Sequence, residues 1–166
     1  MTSRHLESGA FINASPEDVF AFVDDHSRFS SHMSQSSWMM GGGRMSVEVD
    51  DAKGQAVGSH IRLSGRVFGV PLHLDEVVTR REAPINKVWE TVGSPQLLVI
   101  GAYSMGVQIT PERGGSRLRV FIDYHLPDGA VTHWLGWLFG RLYARWCVER
   151  MLTGVVKQLV PRAAAA

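Results

Sequence analysis

The sequence predicts an α+β fold in which a curved antiparallel sheet of seven strands surrounds a long C-terminal helix, with two short helices after the first strand. Three observations predict it. Apolar residues alternate with a period of two through the middle of the chain, which is typical of strands. The connections there are short and rich in Gly, Pro and Asp, so they cannot hold crossover helices. Near the C-terminus the apolar spacing returns to 3.6, as in a helix.

Length and composition narrow the class of protein. The chain has 166 residues and a formal net charge of +1, so we expect a single domain over residues 1–166 with one core. Its basic residues are scattered, and nucleic acid is therefore not expected as a partner. The lone Cys147 cannot form an intramolecular disulfide, and the first residues do not resemble a signal peptide. A cytoplasmic location is expected, and the oligomeric state stays open.

The N-terminal part combines a strand with two short helices. The strand is expected over about residues 5–13. Ser15 then supplies a helix N-cap and Pro16 suits the first helical position, with acidic residues following in the first turn. A second helical piece is expected over residues 29–33. The loop that contains residues 41–43, all Gly, lacks the signature of a phosphate-binding loop and is interpreted as a flexible entry loop.

Six further strands are expected to form a meander. The Gly93-Ser94-Pro95 run is interpreted as a connection, and Gly101 and Gly106 as places where a long strand bends. The strands are expected around Met45–Val49, Ile61–Val67, Leu72–Val78, Val88–Val92, Leu97–Thr110 and Arg117–Leu126.

The last helix is expected over Val131–Val160, a length of about 45 Å, and to end at Pro161. Its inward stripe is predicted to contain Leu135, Leu138, Leu142 and Trp146.

The first half of this helix is apolar almost all round. Trp134 and Trp137 lie off the predicted stripe, so they are either buried under loops or make transient contact with a membrane surface or a protein partner. Gly136 and Gly140 are interpreted as positions of close packing, in preference to room left for a ligand.

Several stretches carry a resemblance to a known family. They are Ala14–Phe20 with Asp24-Asp25, Val57-Gly58-Ser59, Val88-Trp89 and Leu138–Leu142. With this order of elements, the chain resembles the START-like superfamily, also called SRPBCC or polyketide cyclase/dehydrase-like, which has the helix-grip fold. The resemblance implies an interior pocket for lipids, polyketides, quinones or similar molecules. It transfers no catalytic residue.

A curved sheet that does not pack flat against its helix leaves an internal cavity. Polar hydroxyls such as those of Tyr103 and Tyr124 suit a mostly apolar pocket that orients one polar ligand atom, although ordinary core packing explains them equally well. The predicted ligand-binding residues are Tyr103, Met105, Tyr124, Leu63, Leu74, Trp89, Leu135, Leu138 and Leu142.

Glu76 is the candidate catalytic residue. It shares strand parity with Leu72, Leu74 and Val78, so an inward orientation would make it a general acid or base in an apolar cavity. A bulge, or an inward face formed by the opposite set, would instead leave Glu76 outside near Arg62 or Arg80. The outside position is the favoured prediction.

The sequence favours binding or transport of a small hydrophobic molecule. Seven histidines and one cysteine show no metal-ligand spacing, so neither a metal nor a cofactor is expected. No catalytic motif is recognisable, and an enzyme is the less favoured interpretation. Two alternatives stay open: a cyclase- or dehydratase-type enzyme that uses the same cavity, and an interaction module that acts through the C-terminal helix.

Overall fold

The computed structural model describes residues 3–29 and 44–159. The second predicted helix beyond Phe29, the Gly41–Gly43 loop and Pro161 lie outside the described residues. In chain order, the elements are β1 (Arg4–Ile12), α1 (Pro16–Asp24), α2 (His26–Phe29), β2 (Arg44–Val49), β3 (His60–Val67), β4 (Val70–Glu82), β5 (Asn86–Gln96), β6 (Tyr103–Glu112), β7 (Gly115–Tyr124) and α3 (Ala130–Leu159).

The strands of the described residues form one antiparallel sheet of seven strands in the order β1-β7-β6-β5-β4-β3-β2. From β2 to β7 each strand pairs with the next one along the chain, as the short connections require. β1 forms one edge of the sheet and pairs with β7, with Ile12 opposite Ser116. The predicted fold class, a curved seven-stranded sheet with a long C-terminal helix, is confirmed.

Two strand boundaries differ from the prediction. β5 continues through Gly93-Ser94-Pro95, and the chain leaves the sheet only between Gln96 and Tyr103. Beyond Glu90, β5 pairs with β4 but no longer with β6. Pro95 therefore lies where one edge of the strand is unpaired, and its missing N–H breaks no ladder hydrogen bond. The predicted bend at Gly101 falls in this connection, which we call the β5–β6 connection (Leu97–Ala102).

The first helix begins as predicted. Asp18 N donates a hydrogen bond to Ser15 Oγ at 3.1 Å, and Pro16 occupies the first turn. The next helix was predicted too late in the chain, because α2 begins at His26, immediately after the break at Asp25. Its start brings His26 and Phe29 into the core.

A buried cluster of charges fixes the end of α1 to the sheet. Lys87 on β5 is fully buried, and its Nζ donates to the Asp24 backbone oxygen at 2.9 Å and lies 3.0 Å from Asp24 Oδ1. Arg81 on β4 donates to both carboxylate oxygens of Asp24. Burial pushes the pKa of Asp24 up, but the hydrogen bonds from Arg81 and the charge of Lys87 outweigh this and hold it below the usual value. The hydrogen bond from Lys87 Nζ also satisfies the backbone carbonyl of Asp24, which has no partner within the helix.

The long helix packs through small residues. Gly136, Gly140 and Ala144 are buried, followed by Cys147 and Val148 about one turn later. A Cβ added at Gly136 or Gly140 would lie 2.7 or 2.8 Å from the backbone oxygen of Val99. The expectation that these glycines serve close packing is therefore confirmed.

The predicted inward stripe of this helix is wrong. Leu138 and Leu142 are 47% and 53% exposed, and Leu135 is half-buried. The error has a physical cause: the first half of the helix is apolar on all sides, so hydrophobicity does not identify its inner face. Backbone approach decides it instead, and only the glycine face fits against Val99. None of the helices in the described parts of the chain is both long and apolar enough to cross a membrane.

Replacing Gly140 with Ala is expected to destabilise the protein, although Ala favours helix by about 1 kcal/mol. The new Cβ would meet the Val99 oxygen, so the helix has to shift, at a net cost of about 1–3 kcal/mol. Gly154 is the matched control, because a Cβ there meets nothing within 4 Å, and Gly154→Ala should stabilise by about 0.5–1 kcal/mol. Urea unfolding measures both, and equal effects of the two substitutions would contradict the packing role.

Candidate functional site

A narrow cavity lies between the concave face of the sheet and α3. Its volume is about 30 Å³, enough for about two water molecules. Five predicted ligand-binding residues line it: Leu63, Leu74, Trp89, Tyr103 and Met105. Glu76, the candidate catalytic residue, lines it as well.

The other four predicted ligand-binding residues do not line this cavity. Tyr124 is fully buried but packs beneath α3, with its ring 3.5 Å from the position of a Cβ at Gly140. Leu138 and Leu142 lie on the outer face of the helix, and Leu135 is half-buried outside the lining. Leu135, Leu138 and Leu142 were all predicted wrongly because the inner face of α3 was assigned to the wrong side of the helix.

The sequence reasoning missed the residues that α3 and the β5–β6 connection supply. Tyr143, Cys147 and Met151 lie one turn apart on the helix, and Leu97, Ile100 and Ile122 complete the lining. A signal for the helix residues was present. Gly136, Gly140 and Ala144 recur every four residues, and such a stripe of small residues marks a close-packed face from which the neighbouring side chains reach inward.

Glu76 points into the cavity, contrary to the favoured prediction. It is 3% exposed, and its Oε1 accepts a hydrogen bond from the Tyr103 hydroxyl. The register of β4 against β5 shifts twice, between His73 and Asp75 and between Val78 and Arg80. Neither shift changes the alternation of β4, because Leu74, Glu76 and Val78 are all buried on the same face. Arg62 and Arg80, its predicted neighbours, pair instead with Asp75 and Glu82.

The neighbouring strands place Tyr103 beside Glu76. Glu76 lies opposite Thr91 on β5. The Thr91 hydroxyl accepts from the Tyr103 backbone N–H at 3.1 Å, which fixes the start of β6 at this point. The Tyr103 ring can then extend along the cavity wall to reach the carboxyl group.

His26 is a third polar group of this cluster, and no pattern in the sequence singled it out. Its Nε2 lies 3.6 Å from Glu76 Oε2, and both side chains are almost completely buried. Trp89 packs edge-on against the imidazole with ring centroids 4.9 Å apart. On the other side the loop that follows β2 presses against His26, since a Cβ at Gly54 would lie 3.4 Å from His26 Cβ.

These contacts compensate for the burial of Glu76. A carboxylate removed from water without partners costs several kcal/mol. Tyr103 supplies one hydrogen bond and His26 a nearby basic nitrogen, so Glu76 has a partner at each oxygen. We refer to Glu76, Tyr103 and His26 as the polar cluster.

Two further polar side chains of α3 line the cavity close by. Burial raises the pKa of Cys147 to about 12, although its hydrogen bond with Tyr143 lowers it, and the charge of Glu76 raises it further. Burial, followed by the effect of Cys147, holds the pKa of Tyr143 well above its usual value. Burial and the charge of Glu76 do the same for the pKa of Tyr103. Both phenols and the thiol are therefore protonated at neutral pH and act as hydrogen-bond donors.

The chemistry available here is limited and specific. A carboxyl group with protonated phenols in an apolar cavity can orient one polar atom of a ligand, or transfer a proton to or from it. Cys147 is a very weak nucleophile at neutral pH while it is buried, because a thiol with a pKa of about 12 forms almost no thiolate. Across residues 3–29 and 44–159, no three His, Cys, Asp or Glu side chains are placed to hold a metal ion.

A sheet wrapped around one long helix, with a cavity between them, defines a helix-grip protein of the START-like, or SRPBCC, class. The chain belongs to the family described as polyketide cyclase / dehydrase and lipid transport, whose sequence profile matches residues 3–164. No curated protein sequence matches this chain.

Solved structures agree with this assignment at the level of the fold. Zhui aromatase/cyclase from Streptomyces sp. R1128 superposes with a TM-score of 0.71 and 13% identity, over 99% of this chain and 98% of that one. Truncated norcoclaurine synthase from Thalictrum flavum has a TM-score of 0.68 and 14% identity, over 97% of this chain and 96% of that one. The protein TTHA0849 from Thermus thermophilus has a TM-score of 0.67 and 15% identity, over 97% of this chain and 100% of that one. At such identities the likeness shows the fold alone.

Replacing Cys147 with Ala is expected to change how stability depends on pH. The folded thiol keeps its proton up to a pKa of about 12, whereas an unperturbed thiol loses it near 9.0. Between these values only the unfolded state releases the proton, so the wild type loses up to about 1.4 kcal/mol of unfolding free energy per pH unit relative to the variant. Urea unfolding of both proteins at about pH 7, 9 and 11 measures this difference.

Titrating groups that do not contact Cys147, Lys87 included, are common to both proteins and largely cancel in the comparison. Tyr143 does contact Cys147, but burial is the main cause that holds its pKa well above the usual value. A difference between wild type and variant that stays constant across this range would show that the thiol is not buried in the folded protein.

Proposed function

We propose that the protein binds a small hydrophobic molecule in the cavity between the sheet and α3, and carries it without chemical change. The observation that supports this is the cavity lining, which is apolar apart from Glu76, Tyr103 and the two donors on α3. Burial of apolar surface supplies affinity in such a site, and the few polar groups orient the ligand.

The cavity has to widen to accept a ligand. A molecule of about 25 heavy atoms at roughly 0.3 kcal/mol per atom would bind in the micromolar range, yet it is far larger than 30 Å³. Met105 and Met151 line the cavity, and their flexible thioethers can rearrange at low cost. Each 1.4 kcal/mol that widening the cavity costs raises the dissociation constant about tenfold. The proposal therefore predicts modest affinities.

An enzyme of the cyclase or dehydratase type is a second candidate. The inward position of Glu76 favours it, because a carboxyl group beside a protonated phenol can serve as an acid–base pair. Chemical conversion of a bound ligand distinguishes this candidate from a carrier.

Contact with a membrane surface is the third function that an observation favours. Trp134 and Trp137 are 60% and 62% exposed, and Leu138 and Leu142 beside them are also exposed. We call these four residues the outer apolar face. The interpretation that loops bury it is wrong for the described residues, and a solvent-exposed apolar face of this kind suits transient contact with lipid. In this proposal residues 1–166 act as one cytoplasmic ligand-binding domain.

Binding of an uncharged aromatic probe, 1-aminoanthracene, is expected to depend on the size of residue 147. Cys147→Phe fills the cavity and should weaken binding at least about tenfold, whereas Cys147→Ala should bind as well as the wild type or better. Fluorescence titration measures both, with urea unfolding to confirm that each variant is folded. Equal affinities in the two variants would place the probe outside the cavity.

Native mass spectrometry of the freshly purified protein is expected to reveal a bound apolar species, and long-chain alcohols or quinones should raise the melting temperature. A carrier returns the ligand at its original mass in both wild type and Glu76→Gln. A mass change produced by the wild type and lost in Glu76→Gln would favour the enzyme instead. Absence of any bound species, together with no thermal stabilisation, would contradict ligand binding.

Co-sedimentation with vesicles of phosphatidylcholine and phosphatidylglycerol tests the outer apolar face. Replacing both Trp134 and Trp137 with Ala should reduce the bound fraction at least about fivefold, because aromatic side chains supply most of the interfacial burial. The control is Phe68→Ala with Val57→Ala, which removes exposed apolar side chains elsewhere. Equal binding by the two double variants would rule out this face as the contact.

A further inference from the structure

An open cleft lies beside the cavity and is much larger than it. Its volume is about 330 Å³, and three parts of the chain line it: the end of β5, the residues Gly101 and Ala102, and the turn that leads from β7 into α3. Ser94, His125, Asp128 and Thr132 make part of this lining polar. Unlike the cavity, the cleft is already wide enough to admit a small molecule.

Leu97 lies between the cleft and the cavity, because it lines both. Ile100 lines the cavity, and the next residue, Gly101, lines the cleft. The β5–β6 connection is therefore the partition between the two spaces. It separates an open, partly polar cleft from a narrow and mostly apolar cavity.

The backbone of this partition is held in place on both sides. Gly101 N donates to His125 O at 2.8 Å, and His125 N donates to Ala102 O at 2.9 Å. The Val99 oxygen lies against Gly136 and Gly140 of α3. Leu97, by contrast, is only partly buried. A change in the Leu97 side-chain rotamer would open the partition without moving this hydrogen-bonded backbone.

We propose that this cleft is the mouth of the cavity and the subsite for the polar end of an elongated amphipathic ligand, whose apolar end displaces Leu97 and enters the cavity. This inference rests on the proposed function and adds the route and the ligand class. His125 lines the cleft, and its buried Nδ1 has no hydrogen-bond partner among the described residues. Rotation of the imidazole would let a ligand hydroxyl or carbonyl satisfy this nitrogen. The exposed carboxylate of Asp128 disfavours an anionic end, and the proposed polar end is an uncharged hydroxyl or carbonyl.

Cys147 reports on the mouth without any ligand, because it is the only cysteine of the sequence and lines the cavity. Leu97→Ala should accelerate its modification by 4,4′-dithiodipyridine at least about tenfold. Ala102→Trp, at an exposed position of the cleft, should slow the modification several-fold. The matched controls are Leu6→Ala, a partly buried position away from both spaces, and Ala52→Trp in the exposed loop after β2.

The polar end is tested by displacement of 1-aminoanthracene with decanol and with decanoate. Asp128→Asn should improve displacement by decanoate at least about threefold and leave decanol unchanged, because it removes only a charge repulsion. Asp51→Asn, an exposed acid in the loop after β2, is the control and should change neither. Equal effects of the two Asn variants would overturn the polar-end subsite.

The outcomes separate the mouth from the proposed function. If 1-aminoanthracene binds but Leu97→Ala and Ala102→Trp label like their controls, ligand binding stands and the mouth is overturned. If no apolar probe binds, the proposed function fails, and the labelling rates still decide whether the cleft leads to the cavity. Urea unfolding of every variant corrects the labelling rates for global opening.

Discussion

The backbone contact between α3 and the β5–β6 connection determines most of the structure. Because Gly136 and Gly140 have no side chains, the helix approaches the Val99 oxygen within the distance that a Cβ would occupy. This approach sets the separation of helix and sheet, and so the small volume of the cavity. It also fixes the rotation of the helix, which turns Cys147 and Met151 inward and leaves the outer apolar face exposed.

The polar cluster lies in the same interior between the sheet and α3, where the burial of its charged and polar groups costs free energy. Burying Glu76 is costly unless both oxygens have partners, and Tyr103 and His26 come from elements far apart in sequence to supply them. The buried Lys87 and Asp24 hold α1 against the sheet just before α2 begins, and His26 at the start of α2 lies beside Glu76. In the proposed function, binding and stability are therefore linked, because the groups that would orient a ligand are the groups that compensate one another when no ligand is bound.

The fold was largely predictable and the site only in part. Alternation along β3, β4 and β6 correctly assigned Leu63, Leu74, Tyr103 and Met105 to the inner face, since a strand offers only two faces. The orientation of Glu76 was predicted wrongly, although its parity was read correctly, because the position of the bulge relative to it depends on how β4 pairs with β5. The end of β5 was also predicted wrongly, because a Pro near the end of a central strand is tolerated where one edge of that strand has no partner.

The sequence by itself determined the order of elements, the start of α1 at Ser15 and the sheet faces, because caps, turns and alternation are local properties of neighbouring residues. Only the tertiary structure decided which side of α3 faces inward, that His26 reaches Glu76, and that Leu97 separates the cavity from an open cleft. These features depend on distances between distant segments. A helix that is apolar all round carries no local signal of its orientation, and close backbone packing at Gly136 and Gly140 supplies it.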